Sequence, residues 1–165
     1  MLDTDVSSVL AGAATVFAQA RALFLATVEE GDAQPPSPHC LAVVFTSEQL
    51  RLRMLFGRDG GNYRRLTMHG CAAFAAGDFE RVEGYVYGRG RVADIGDAAP
   101  LLPVLQGKYG WLDARTVSGE PRCIELLPDR LTWVRLEPAG IIHETTLVRE
   151  TAAWVVQGRR VKAPR

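Results

Sequence analysis

Two stretches of this chain gather groups able to hold an anion or a flat ring. The first is Gly57-Arg58-Asp59-Gly60-Gly61-Asn62, which leads into a short helical stretch, Tyr63 to His69, that Gly70 can end. Glycines at 57, 60 and 61 present backbone N–H groups with no Cβ in the way, and a helix starting near Asn62 turns its positive end to the same space. Arg58, Arg64 and Arg65 add fixed charge and forked donors matched to phosphate oxygens. The stretch reads as a phosphate cradle or as a plain strand-to-helix loop with a solvated basic face. It is not a P-loop, because the terminal Lys-Ser/Thr is absent. The second stretch is the alternating strand Val82 to Val92, with Gly84, Gly88 and Gly90 on one face and Tyr85, Tyr87, Arg89 and Arg91 on the other. Three glycines on one face call for a close approach, by a cofactor ring or another backbone, or for a sharp bend in a barrel. The opposite face suits an interface or stacking on a ligand.

Other candidates are local. His39-Cys40-Leu41-Ala42 follows the proline-rich run Gln34-Pro35-Pro36-Ser37-Pro38. His39 can donate to a ligand oxygen or bond within the loop. Cys40 is a poor partner for it, since adjacent strand residues point to opposite faces. The three histidines (39, 69 and 143) lack metal-ligand spacing, and the three cysteines (40, 71 and 123) form no C-x-x-C pair. Lys108-Tyr109-Gly110-Trp111 mixes aromatics with a cation, either as a lid over a ligand or as packing on the barrel. Arg159 to Arg165 reads as a solvated basic tail.

The elements that must position these groups come from periodicity. Val6, Val9, Leu10, Ala13, Val16, Phe17 and Ala20 fall on one helical face, with Thr4 or Asp5 as cap. Strand patterns run over 22–28, 39–46, 50–56, 71–76 and 82–94, and short helices over 63–69 and 97–106. The prolines of 34–38 place that run in a loop or at a sheet edge. Residues 108–120 read as irregular. Residues 122–127 and 131–137 read as a hairpin across Pro128-Asp129, and 154–156 as a last strand. The fold class expected is mainly β with peripheral α: a closed or nearly closed antiparallel barrel of six or more strands, an N-terminal helix over 1–20 and two short helices. The 165 residues form one domain, long enough to bury about 70% of its unfolded surface, with 138–165 as a C-terminal extension. Lys+Arg and Asp+Glu are 19 each, a balance unlike that of a dedicated nucleic-acid binder. No apolar run approaches the roughly 20 residues of a membrane span, and the N-terminus is acidic. A cytoplasmic, reduced protein without nucleic-acid or membrane partners is the expectation.

The order of these parts resembles the pyridoxamine 5′-phosphate oxidase-like, FMN-binding split-barrel family. Leu25-Ala26-Thr27-Val28, Gly31 and Pro35 to Pro38 match its opening strand, turn and Pro-bearing segment. Leu50–Phe56, Arg58–Asn62, Leu66 and Ala72-Ala73-Phe74 match the strand pair, phosphate loop, short helix and small-residue strand. Val82–Val92, with Glu83-Gly84, matches a later V-E-G strand. The resemblance implies a Greek-key split barrel and a homodimer with FMN at the subunit interface, acting in hydride or electron transfer with a small-molecule substrate. It places the phosphate on Arg58, Gly60, Gly61, Asn62, Arg64 and Arg65, the ring along His39, Cys40, Leu41 and Ala42, and Tyr109 or Trp111 on the substrate side. The chain departs from the true oxidases where they carry an Arg and a Lys, at His39 and Val44, and where their loop Lys falls on Asn62. Their Asn-Pro after the helix is His69-Gly70. Wider relatives bind F420 or haem, so either is an alternative cofactor, and a non-catalytic flavin- or haem-binding module is an alternative role. No dedicated acid or base stands out, which suits simple hydride transfer.

Overall fold

The computed structural model describes residues 5–31, 34–77, 84–113, 115, 117–137 and 139–163, apart from the side chains of 28–31 and 34–39. Thr4, Val82, Glu83 and 164–165, used in the reading above, lie outside the described residues. Nine antiparallel strands form one sheet: β1 (Leu23–Gly31), β2 (Gln34–Val43), β3 (Phe45–Glu48), β4 (Arg51–Gly57), β5 (Cys71–Gly77), β6 (Gly84–Asp97), β7 (Pro121–Leu136), β8 (Ile142–Glu150) and β9 (Ala153–Lys162). The order is β2-β1-β5-β6-β7-β4-β3, with β8 on β7 and β9 on β8. The sheet curls without closing, so the barrel is split. The proline-rich run is the edge strand β2 rather than a loop, in the one place where a missing N–H costs a sheet little.

The split has a local origin. β3 pairs with β4 from Glu48 opposite Arg51 to Phe45 opposite Met54. Beyond Val44 the chain leaves β4, and β2 pairs instead with β1, from Val43 opposite Leu23. Carried on, the β3–β4 register would set Leu41 beside Arg58 and His39 beside Gly60. Those segments diverge, and helix α2 (Gly61–His69) packs over the opening with Leu66 fully buried. The β3–β4 hairpin itself closes through Gln49 and Leu50, both at positive φ (50° and 64°), as a two-residue turn of the primed type demands.

Helix α1 (Val6–Gln19) starts where the Asp5 carboxylate accepts from the Ser8 amide at 2.7 Å. Its buried face is Val9, Ala13 and Phe17. Phe17 meets the Phe45 ring edge-on at 6.3 Å and the Phe74 ring at 6.0 Å, and burying a side chain of that size contributes about 2–3 kcal/mol. Gly12, a weak helix former, is explained by Trp133: a Cβ there would lie 2.5 Å from the indole. Helix α3 (Leu102–Lys108) builds a second apolar cluster on Leu55 and Cys123, through Leu101, Leu105, Tyr109 and Leu112. It begins five residues later than the expected Asp97, because the Asp97 carboxylate caps a separate turn at the Ala99 amide and Pro103 occupies the first helical turn.

Two expectations for the C-terminal third are corrected. Pro128-Asp129 does not turn a hairpin, for β7 is one strand of 16 residues. Along one side it pairs with β6; along the other with β4 as far as Leu126 and with β8 from Arg130. Pro128 sits in the gap between those two neighbours, and the extra residue, Asp129, is taken up as a bulge opposite Arg89 and Gly90. The basic tail is ordered through Lys162 as β9, in register with β8.

Candidate functional site

Three of the four glycines of β6 face backbone; Gly96, at positive φ, faces open space. A Cβ on Gly88 would lie 2.1 Å from the Arg130 carbonyl oxygen, one on Gly84 2.5 Å from that of Val134, and one on Gly90 2.4 Å from that of Leu127. Of the causes open from sequence, close approach of a neighbouring strand in a tightly coiled β6–β7 pair accounts for all three.

The loop after β4 is held from behind. The Arg58 amide donates to the Glu120 carbonyl at 3.0 Å, and the Asp59 amide to the Ser118 carbonyl at 3.3 Å. Gly57 is obligatory there, since a Cβ would lie 2.0 Å from the Ser118 oxygen. This clamp fixes the start of α2. Gly60 is its N-cap, no side chain caps it and no acidic residue lies in its first turn, so the amide-rich end is left for an outside acceptor. A Cβ on Gly61 would meet nothing within 4 Å except Arg65 Nη1 at 3.9 Å. The space above the helix start is therefore open and has a guanidinium beside it.

The first turn is anchored from below by a charged cluster. The Tyr63 hydroxyl donates to the Asp94 carboxylate, which also accepts from Arg122 Nε and Nη2 at 3.1 and 2.9 Å and from the Gly96 amide at 2.8 Å. Burial pushes the Asp94 carboxyl up, but those hydrogen bonds outweigh it and hold the group below its ordinary value. The same Asp94 contact raises the Tyr63 phenol. Arg122 is spent here, structurally.

The three loop arginines differ in what they already hold. Arg58 is 61% exposed and paired with Glu120 at 3.0 Å. Arg64 Nη2 donates to the Asp59 carbonyl at 3.2 Å, and Arg65 Nη1 to Asn62 Oδ1 at 3.2 Å. Arg65 and Asn62 thus form one unit over Gly61. Of the β2 residues, Cys40 and Ala42 are exposed on the outer face, whereas Leu41 packs on the core opposite Leu25. The period of two divides the four, and only alternate residues can face one ring. His39 pairs through its backbone with Thr27, and its side chain lies outside the description. Tyr109 is 4% exposed, with its hydroxyl accepting from the Phe45 amide at 3.3 Å and donating to the Phe45 carbonyl at 3.2 Å. It is a core residue here and cannot act as a lid, while Trp111, 69% exposed, stands against its edge.

What sequence reasoning missed lies on the outer face of the sheet. A cleft of about 610 Å³ opens there, lined by Tyr87, Arg89, Arg130, Thr132, Arg160 and others. No motif marks it, because its lining is drawn from five strands, β5 to β9, scattered along the chain. Among the described residues no cluster of three or more His, Cys, Asp or Glu could hold a metal ion, and no helix is long and apolar enough to cross a membrane.

Comparison with solved structures gives a consistent picture. A pyridoxamine 5′-phosphate oxidase-related, FMN-binding protein from Nostoc punctiforme superposes with a TM-score of 0.62 at 14% identity, over 99% of this chain and 98% of that one. The chain has the split-barrel fold. An F420 reductase matches at TM-score 0.59 and 19% identity, over 71% of this chain and 93% of that one. The FAD-binding protein from Mycobacterium smegmatis matches at 0.55 and 15%, over 77% and 96%. No family model matches the chain, and no curated protein matches it by sequence.

Proposed function

We propose that this split barrel binds a flavin-type cofactor, FMN, and passes a hydride or electrons between it and a small molecule. The observation that carries the reading is the open amino end of α2, uncapped, free of acidic side chains in its first turn and bordered by Arg65 above Gly61. A phosphate fits that space: helix amides would accept its charge while Arg65 and Arg64 supply forked donors. Asn62, already bonded to Arg65, positions that guanidinium. The bound flavin would supply the redox chemistry; the chain orients it and keeps its phosphate fixed. Cys40 and Ala42, exposed on β2 across the split from the loop, offer a small-residue surface for a ring. FMN is preferred to F420 because the neighbour superposing over nearly the full length of both chains is the FMN-binding one.

The same reading includes a homodimer. Phe24, Ala75 and Tyr87 lie in one cross-strand row on the outer face, with Tyr85 stacked on Tyr87 at 6.0 Å, and no helix of the described chain covers them. A second copy is the occupant proposed for that row.

The test is the absorption spectrum of the purified protein, followed by mass spectrometry of the released ligand and FMN titration of the stripped protein. A flavin band and FMN release are expected, with Arg65→Gln weakening FMN by about tenfold. A deazaflavin band, a Soret band, or a colourless protein that rejects all three cofactors would overturn the FMN assignment. Sedimentation tests the dimer, and a monomer with FMN bound would remove the interface from the proposal.

A further inference from the structure

The cleft on the outer face carries groups that the flavin reading leaves unused. The cross-strand rows define it: Ala73, Arg89 and Arg130 align in one row, and Tyr87, Thr132, Thr146 and Gly158 in the next. Glu144 and Arg160 pair in the row beyond. The floor is small and hydroxylic. Thr132, 3% exposed, shares one hydrogen bond with Thr146, Oγ1 to Oγ1 at 2.8 Å. Two hydroxyls joined by one bond leave one O–H proton over. Above Gly158 a Cβ would meet nothing within 4 Å, and Gln157 is bulged out of the β8–β9 register beside it.

The charges of the cleft do not cancel. Arg89 has Asp129 at 3.5 Å, and Glu144 is taken by Lys162 at 2.7 Å. Among the described residues, Arg130 has no acidic side chain against it, and Arg160 stands across from Glu144, whose carboxylate is held by Lys162. Guanidinium groups from β6, β7 and β9 line this one cleft, and each offers a fork to a phosphate or carboxylate. Tyr87 supplies an aromatic wall, and about 610 Å³ is room for a nucleotide-sized molecule rather than a bare ion.

We propose that this cleft is a second ligand site, taking a ring-bearing phosphate monoester: phosphate on Arg130 and Arg160, ring against Tyr87, and a polar edge on the Thr132–Thr146 pair. None of these residues belongs to the α2 site, but Tyr87 also ends the row proposed for a second copy, so the proposal requires that copy to leave the cleft open.

The experiment is calorimetric titration of the full chain, saturated with FMN where it binds FMN, using AMP, adenosine and inorganic phosphate as probes. AMP should bind, with adenosine and inorganic phosphate each at least about tenfold weaker. Arg130→Gln and Arg160→Gln should each weaken AMP by about tenfold, and Gly158→Leu, which fills the open space on an unstrained backbone, should abolish it. All three should keep the flavin band and the thermal midpoint of the parent. Arg65→Gln should leave AMP unchanged. Equal binding of AMP and adenosine, loss of AMP in Arg65→Gln but not in Arg130→Gln, or no AMP binding because a second copy covers the cleft would each overturn the proposal. Failure to bind flavin with AMP binding intact would sink only the flavin reading.

Discussion

The two cationic regions of this molecule are built in opposite ways. Arg58, Arg64 and Arg65 lie within eight residues of chain, and each already holds an acceptor: Arg58 the Glu120 carboxylate of a distant segment, Arg64 and Arg65 the local Asp59 carbonyl and Asn62. Arg130 and Arg160 are thirty residues apart in sequence, line one cleft only because β7, β8 and β9 pair, and have no ion pair of their own among the described residues, Glu144 across from Arg160 being held by Lys162. A cluster dense in sequence folds with its own neighbours and is partly neutralised. One assembled by a sheet has no local partner and keeps its charge for something else. The donors left to the proposed α2 site are therefore mainly backbone amides, whereas those of the proposed cleft site are side chains.

The largest break in this comparison comes from Gly88→Val. Its Cβ would sit against the Arg130 carbonyl, so β6 and β7 must part where the cleft forms. A loss of about 3 kcal/mol in urea unfolding is expected, with the AMP response lost before the FMN response. A cost under about 1 kcal/mol would mean the strands are not held that closely.

Asp94→Asn attacks the other region, by releasing Tyr63 and Arg122 beneath α2. About 2 kcal/mol at neutral pH is expected, with weaker FMN retention and an unchanged AMP response. The pH dependence has a definite sign. Asp94 is held below its ordinary 3.8, so its contribution is complete above that value and lost as pH falls through the lower folded value. The stability gap between parent and variant should close below pH 3.8, and a gap constant with pH would show that the carboxylate is not the anchor.

Lys108 is a third kind of cation, half-buried over the Phe45 ring at 4.0 Å with only the Phe17 carbonyl, at 3.3 Å, to accept from it. Burial and then Arg21 lower it from 10.5 to about 8. The charged form is thus disfavoured in the fold, and stability should rise with pH between about 8 and 10.5. Lys108→Met should gain at most about 1 kcal/mol at pH 7, a gain that fades above pH 10.5, as denaturation across that range would show. The smallest effect is expected of Arg58→Gln: within about 0.5 kcal/mol in stability and less than about threefold in FMN affinity, because an exposed pair is worth little. A tenfold loss of FMN would move the phosphate toward Arg58.

These contrasts also mark what was legible in the chain. Asp5 as cap, Gly70 as the left-handed end of α2 and the alternation of β4 are local chemistry, and the structure follows them. Pro128-Asp129 misled, because a Pro-Asp pair is turn chemistry unless a neighbouring edge is vacant there, and only topology knows that. The glycine-rich loop before α2 could be read because its parts are consecutive. Tyr87 and Arg89 could be placed on an outward face, but not beside Thr132, Thr146 and Gly158, since register is a property of pairs of strands.

β7 touches β4, β6 and β8 and so belongs to every part of the sheet at once. The strands that flank it each lead to a different branch of the sheet, and β7 cannot let go without parting all three. Its central amides should be the last in the protein to trade hydrogen for deuterium, and they should do so only when the whole molecule opens in one step.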